Sequence, residues 1–208
     1  MTGVYRGVCR MPGDRPTRGP LPECRWADSN ARTGVRLSNM KVIGPDRYRL
    51  SFDAKTFTVS CPKGGGTFSG LATWKRPKLY IVSVDQWPIY VGVTKQPMRN
   101  RLRFGWNATG ASGYYGYAWR HEFKEADLDV WSHHDAPPDN SLVDIETIEA
   151  EVVFLMRCAG QWPLFQTEIH FHPSEPVHRG IAATMIARYA LKSLPIGESG
   201  HSASPDGA

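Results

Sequence analysis

Residues 78–93, KLYIVSVDQWPIYVGV, hold two short runs rich in β-branched and aromatic residues, KLYIVSV (78–84) and PIYVGV (88–93), separated by DQW. Runs this short, broken by a turn, satisfy their backbone polar groups most simply by pairing with each other, so the stretch predicts an antiparallel hairpin. Thr94–Phe104 then predicts a short helix, in which Pro97 is tolerable only in the first turn. Strand, strand, helix is the order that the rest of the chain must accommodate.

Upstream, RYRLSF (47–52) and TFTVSC (56–61) alternate in polarity around DAK and predict another hairpin. CPKGGGTFSG reads as a connector and lacks the Gly-Lys-Ser/Thr ending of a phosphate-binding loop. Downstream, residues 105–121 form a glycine- and aromatic-rich loop, and LDVWSH (128–133) predicts a third strand. After the DAPPDN turn, Ser141 can cap a helix running to about Cys158. FQTEIHFH (165–172) alternates like a strand, and residues 178–194 predict a final helix. The expected organisation is a basic irregular arm (1–36), a β-hairpin extension with linker (37–75), a central domain (76–175), a C-terminal helix (176–194) and a disordered tail (195–208).

With 41% apolar and 22% charged residues among 208, the chain can bury enough surface for one main core. Its formal charge of +5 is uneven: residues 1–36 carry seven arginines against Asp14, Glu23 and Asp28. Such an arm favours a polyanion through counterion release. No run matches a membrane span or a secretory leader, so a cytoplasmic location is expected. Cys9, Cys24, Cys61 and Cys158 show no C-x-x-C spacing, which argues for reduced thiols rather than a zinc ribbon.

On a helix over 145–158, Ile145, Ile148, Val152, Leu155 and Met156 gather into one stripe, and Glu149 falls on it; Glu146 and Glu151 lie toward its margins, within reach of water. A carboxylate facing a packed side needs a cation, either an arginine or lysine in a buried ion pair or a hard metal ion. Arg101 lies on the same face of its helix as Met98 and Gly105, where its fork could meet a phosphate or pair with Glu149. Arg99 and Arg103 point elsewhere and, with Lys95, are expected to touch an outer phosphodiester backbone. Tyr80 and Tyr90, one in each strand, are by themselves ordinary packing residues.

In order, KLY (78–80), YVG (90–92), Thr94, Arg101 and Glu149 resemble the GIY-YIG nuclease superfamily over roughly residues 76–172. The resemblance implies an α+β domain, with a small three-stranded antiparallel sheet flanked by helices, that cuts DNA with one Mg²⁺ or Mn²⁺. It implies Glu149 as the metal ligand, Arg101 as the group on the scissile phosphate, and Tyr80 and Tyr90 as phenols that position or deprotonate water, their pKa lowered by positive charge. Lys78 and Leu79 replace the usual glycine and isoleucine. Where many members have a histidine or tyrosine four residues after the arginine, this chain has Gly105, and His121 or Tyr117 is the substitute. Gln166 stands for the family's closing asparagine.

Double-strand cleavage by a single-site nuclease would call for a homodimer. The alternative is a noncatalytic nucleic-acid-binding protein on the same scaffold. Two further features stay open: Glu168, His170 and His172 on one face of the alternating run, as a solvated face, a second metal site or a base; and GYYGYAW (113–119), as a base-stacking or a packed loop.

Overall fold

The computed structural model describes residues 40–62, 64–135, 141–166 and 168–191; the arm 1–36 and the tail 195–208 lie outside the described residues. The fold is α+β, built on one open antiparallel sheet of five strands with helices on both faces. The strands are β1 (Val42–Phe52), β2 (Phe57–Ser60), β3 (Lys78–Val84), β4 (Trp87–Thr94) and β5 (Glu125–His133), in the order β2-β1-β5-β3-β4. The helices are α1 (Met98–Trp106), α2 (Trp119–Glu122), α3 (Val143–Cys158) and α4 (Pro176–Ile186).

The hairpin at 78–94 forms as its pattern requires, and Asp85 and Gln86 make its turn with positive φ of 50° and 63°. That conformation matches the right-handed twist of the flanking strands. The expected three-stranded sheet is too small. Tyr48 pairs with Leu128 and Leu50 with Ala126, so the upstream hairpin is fused to the sheet through β1 and β5 rather than appended to it.

Alternation along the strands separates two cores. Tyr80, Val82, Leu128 and Leu50 face one side, where α1 contributes Met98, Leu102 and Trp106 and the aromatic loop contributes Tyr117 and Trp119. Leu79, Ile81 and Trp131 face the other, under Ile145, Ile148 and Val152 of α3 and Ala182 and Met185 of α4.

Several boundaries differ from expectation. Helix α1 begins only after Pro97, which stands at its N-cap. The last helix starts at Pro176 behind a capping box of Glu175 and His178 and ends at Ile186. Among the described residues from 165 to 172, none lies in a strand. Glu151, expected near water, is buried, with Arg179 Nε 3.6 Å from its carboxylate. Cys61 is a free thiol, but Cys158 is disulfide-bonded, against the expectation of reduced thiols throughout.

Candidate active site

Strand β4 is an edge of the sheet, so side chains from both layers can meet beyond it. Arg101 arrives from α1 on one layer, and Glu149 from α3 on the other. Between them lies an open cleft of about 440 Å³ lined by Tyr90, Gly92, Thr94 and Lys95, by Arg101 and Tyr114, and by Glu146, Glu149, Glu168 and His170. One wall is cationic and the other acidic.

The phenols divide into two roles. Tyr80 is fully buried. Its hydroxyl accepts a hydrogen bond from Arg101 Nε at 3.2 Å and shares another at 3.1 Å with the Tyr117 hydroxyl, so it sits behind the arginine and orients it. With Nε committed to Tyr80 and Tyr114 beside it, the guanidinium is held at the cleft wall. Tyr90 lines the cleft itself, with its ring 5.9 Å from that of Tyr80. A Cβ on Gly92 would come 2.7 Å from the Tyr80 hydroxyl and 2.8 Å from the Tyr90 ring. The glycine after Tyr90 is therefore required by the packing of both rings. Burial pushes the Tyr90 phenol well above its ordinary pKa, Tyr80 adds to the rise, and the opposing charge of Arg101 does not overcome them. The expectation of a lowered phenol pKa fails at Tyr90, which stays a neutral hydroxyl.

Gly105 has an equally specific reason. The Tyr117 ring lies where a side chain at 105 would be, 2.2 Å from an added Cβ. Tyr117 thus fills the position four residues after Arg101 from another part of the chain. His121 does not: it is exposed, accepts a hydrogen bond from Arg120 Nε at 3.1 Å and is absent from the cleft lining.

Glu149 is 4% exposed, as its place on the apolar stripe predicts. Its one hydrogen bond is from Gln166 Nε2, at 3.4 Å, and no ion pair joins it to Arg101 among the described residues. Burial pushes its carboxyl up to about 8; Gln166 and Arg101 pull the other way, while Glu146 and Glu168 raise it further. Gln166 also accepts from Val91 N–H at 3.0 Å, so one amide covers the β4 edge and touches the buried carboxylate.

Sequence periodicity missed the surroundings of Glu146. Its two oxygens meet His170 Nδ1 at 3.3 Å and His172 Nε2 at 2.8 Å, and His170 Nε2 is 3.2 Å from Glu168. Of the three residues expected on one face of a strand, His170 and His172 converge instead on a helix carboxylate, and Glu168 meets His170. No local pattern encodes that contact.

Arg99 and Arg103 are exposed on α1, and Lys95 lies on the cleft wall. Lys78, at the first position of the first half-motif, is buried and donates to the carbonyls of Trp74 (2.5 Å) and Arg76 (2.9 Å), with Lys95 O at 3.5 Å. It ties the start of β3 to the turn after β4, and burial lowers its pKa to about 8.

Among the described residues, no group of three or more His, Cys, Asp or Glu is arranged to hold a metal ion, and no helix is long and apolar enough to cross a membrane. Compared with protein-family models, curated proteins and solved structures, the chain gives no match.

Proposed function

We propose that this protein is a divalent-metal-dependent endonuclease that hydrolyses DNA phosphodiester bonds, as its resemblance to the GIY-YIG superfamily implies. The observation that carries the reading is Glu149, a buried carboxyl group without an ion-pair partner among the described residues, on the wall of a cleft that the Arg101 guanidinium also lines.

A single carboxylate oxygen site suits Mg²⁺ or Mn²⁺, which usually complete their shells with water and substrate phosphate. The donor set therefore fits one such ion, with Glu149 as its protein ligand. When bound, the ion would lower the pKa of a coordinated water and offset charge on the phosphate. The protein's own groups supply the remainder. Arg101 binds the scissile phosphate with its Nη fork and opposes the charge that builds on its oxygens. Tyr80 and Tyr117 hold that fork in register from behind. Tyr90, a neutral phenol on the cleft wall, orients water or a phosphate oxygen by hydrogen bonding. Gln166 fixes the Glu149 rotamer by anchoring to β4. Lys95, Arg99 and Arg103 would seat the flanking backbone.

The competing reading, a binder without catalysis, gives no role to a buried carboxyl group on the cleft wall. Supercoiled plasmid incubated with Mg²⁺ or Mn²⁺ tests the choice. Relaxation or linearisation is expected with the metal, and none with a chelator or with Glu149→Ala. Binding without metal-dependent cutting across varied sequences would favour the binder. Linear product from a protein that is a dimer in solution would support a two-copy cut, and nicked circles alone would refute it.

A further inference from the structure

The loop GYYGYAW is divided by the fold. Tyr117 and Trp119 are buried in the core, whereas Tyr115 is 75% exposed and Phe104, on α1 against the neighbouring Tyr114, is 57% exposed. Tyr114 bridges the two regions: its ring stacks on Phe104 with centroids 5.3 Å apart and planes 15° apart, and its other neighbour is the Arg101 guanidinium, 5.8 Å from the ring centroid. A file of stacked groups thus runs from the phosphate-binding arginine in the cleft out to an open aromatic face.

The loop that carries these rings is held in place. Gly110 N–H donates to Tyr114 O at 3.0 Å, and Gly113 N–H to Gly110 O at 3.0 Å. Gly116 is pressed so closely against α1 that a Cβ there would lie 2.0 Å from Gly105 O, and the Tyr115 ring lies over Gly110, 2.6 Å from where a Cβ would be. Rings fixed by backbone contacts but left in water are prepared for a flat partner. The partner's charge follows from the sequence: between Gln86 and His121 there are Lys95, Arg99, Arg101, Arg103 and Arg120 and no aspartate or glutamate. A planar group attached to a chain of negative charges describes a nucleotide.

Resting on the nuclease reading, we propose that Phe104 and Tyr115 form a stacking ledge for an unpaired DNA base next to the phosphate held by Arg101, so that the preferred substrate is single-stranded or locally opened DNA. The base must be unpaired because both faces of a base inside a duplex are covered by its neighbours, and only an unstacked base offers a face to a ring. Arg99 and Arg103, exposed on the helix that carries Phe104, would hold the backbone without reading sequence.

The test uses the full chain carrying Glu149→Gln, in chelator, with oligonucleotides bearing 2-aminopurine in single-stranded, gapped and fully duplex forms. Binding is expected to quench the fluorophore in the first two and to be tighter there than on the duplex. Phe104→Ala and Tyr115→Ala should each weaken single-strand binding about five- to hundredfold while leaving duplex binding and the salt slope unchanged. Phe104→Trp should retain the quench and serves as the folded control. Equal losses on single strand and duplex, absent quenching, or tighter binding to RNA of the same sequence would each overturn the ledge. A protein that quenches the base yet never cuts DNA would remove the nuclease reading and leave the ledge standing; unchanged strand preference in a ring-deleted, metal-active enzyme would do the reverse.

Discussion

Asp129 and Glu149 are both buried carboxyl groups, and the protein treats them in opposite ways. Asp129 on β5 is 1% exposed and receives Arg47 Nε and Nη2, both at 2.7 Å, together with the Tyr189 hydroxyl at 2.8 Å. Glu149 on α3 is 4% exposed and has one amide at 3.4 Å. The desolvation of each anion costs several kcal/mol. At Asp129 a fork and a phenol offset that cost from within. At Glu149 the compensation is missing, burial lifts the carboxyl to about 8, and the group borders a cleft open to solvent. The first arrangement joins β1, β5 and the segment after α4. The second is compensated by a proton that burial holds on the carboxyl, and on the reading proposed above a cation from outside takes that proton's place.

The largest expected effect divides them most sharply. Glu149→Gln should abolish metal-dependent cleavage, a fall of at least about a thousandfold. In the same protein without metal at neutral pH, thermal stability should hold or rise, by about 1–3 kcal/mol, because the folded state no longer has to keep a proton that the unfolded chain gives up. Parallel plasmid assays and thermal melts in chelator measure the two quantities. Loss of both activity and stability would make Glu149 a structural anion like Asp129.

At the other site the outcome reverses. Arg47→Met leaves Asp129 buried with only the Tyr189 hydroxyl, and should cost about 3 kcal/mol, or roughly 8 °C in Tm. The folded fraction should cut at the normal rate. A cleavage defect at full folding would mean that the two carboxylates are coupled through the sheet.

The pH response sharpens the contrast further. Glu149 has a folded value of about 8 against an ordinary 4.5. Between those values the folded protein retains a proton that the unfolded chain has lost, so in chelator this group makes stability fall as pH rises from about 4.5 to 8, by up to about 1.4 kcal/mol per pH unit. Mn²⁺ binding requires the ionised carboxylate, so affinity should climb over the same interval and level off above it. Denaturant melts of wild type and Glu149→Gln from pH 5 to 9 expose the difference; superimposable slopes would show that the carboxyl titrates elsewhere.

How far these sites could be read from sequence depends on the range of the interactions that make them. The β3–β4 hairpin and the inward face of α3 are local, set by a period of two and a period of 3.6, and the inward placing of Arg101 and Glu149 followed from those periods, whereas Tyr80 and Tyr90 were singled out only by the family resemblance. The β1–β5 pairing joins residues about Arg47 to residues about Asp129, a separation no local pattern reports, and with it the fused sheet and the Asp129 ion pair were invisible. Tyr117 was distinguishable from His121 only by the space at Gly105 that it fills. The alternating run at 165–172 misled because its polar members have tertiary partners: Phe165 N–H bonds to Ile89 O, the Gln166 amide takes the place of a backbone carbonyl at Val91, and His170 and His172 turn to Glu146.

The smallest effects come from trimming each carboxylate's weakest partner. Tyr189→Phe removes one phenol from Asp129 while both arms of Arg47 remain, so it should cost about 1 kcal/mol and leave cleavage untouched. Gln166→Leu removes a long hydrogen bond from Glu149 and, with it, the acceptor for Val91 N–H on the β4 edge. It should cost a similar amount in stability, but it should also shift the acid limb of the pH–rate profile to higher pH by about half a unit, because the amide favours the ionised form. The shift carries the distinction, since a structural neighbour changes Tm alone. If the profile stays fixed while Tm falls, Gln166 serves only to cover the sheet edge, and burial sets the acidity of Glu149 without it.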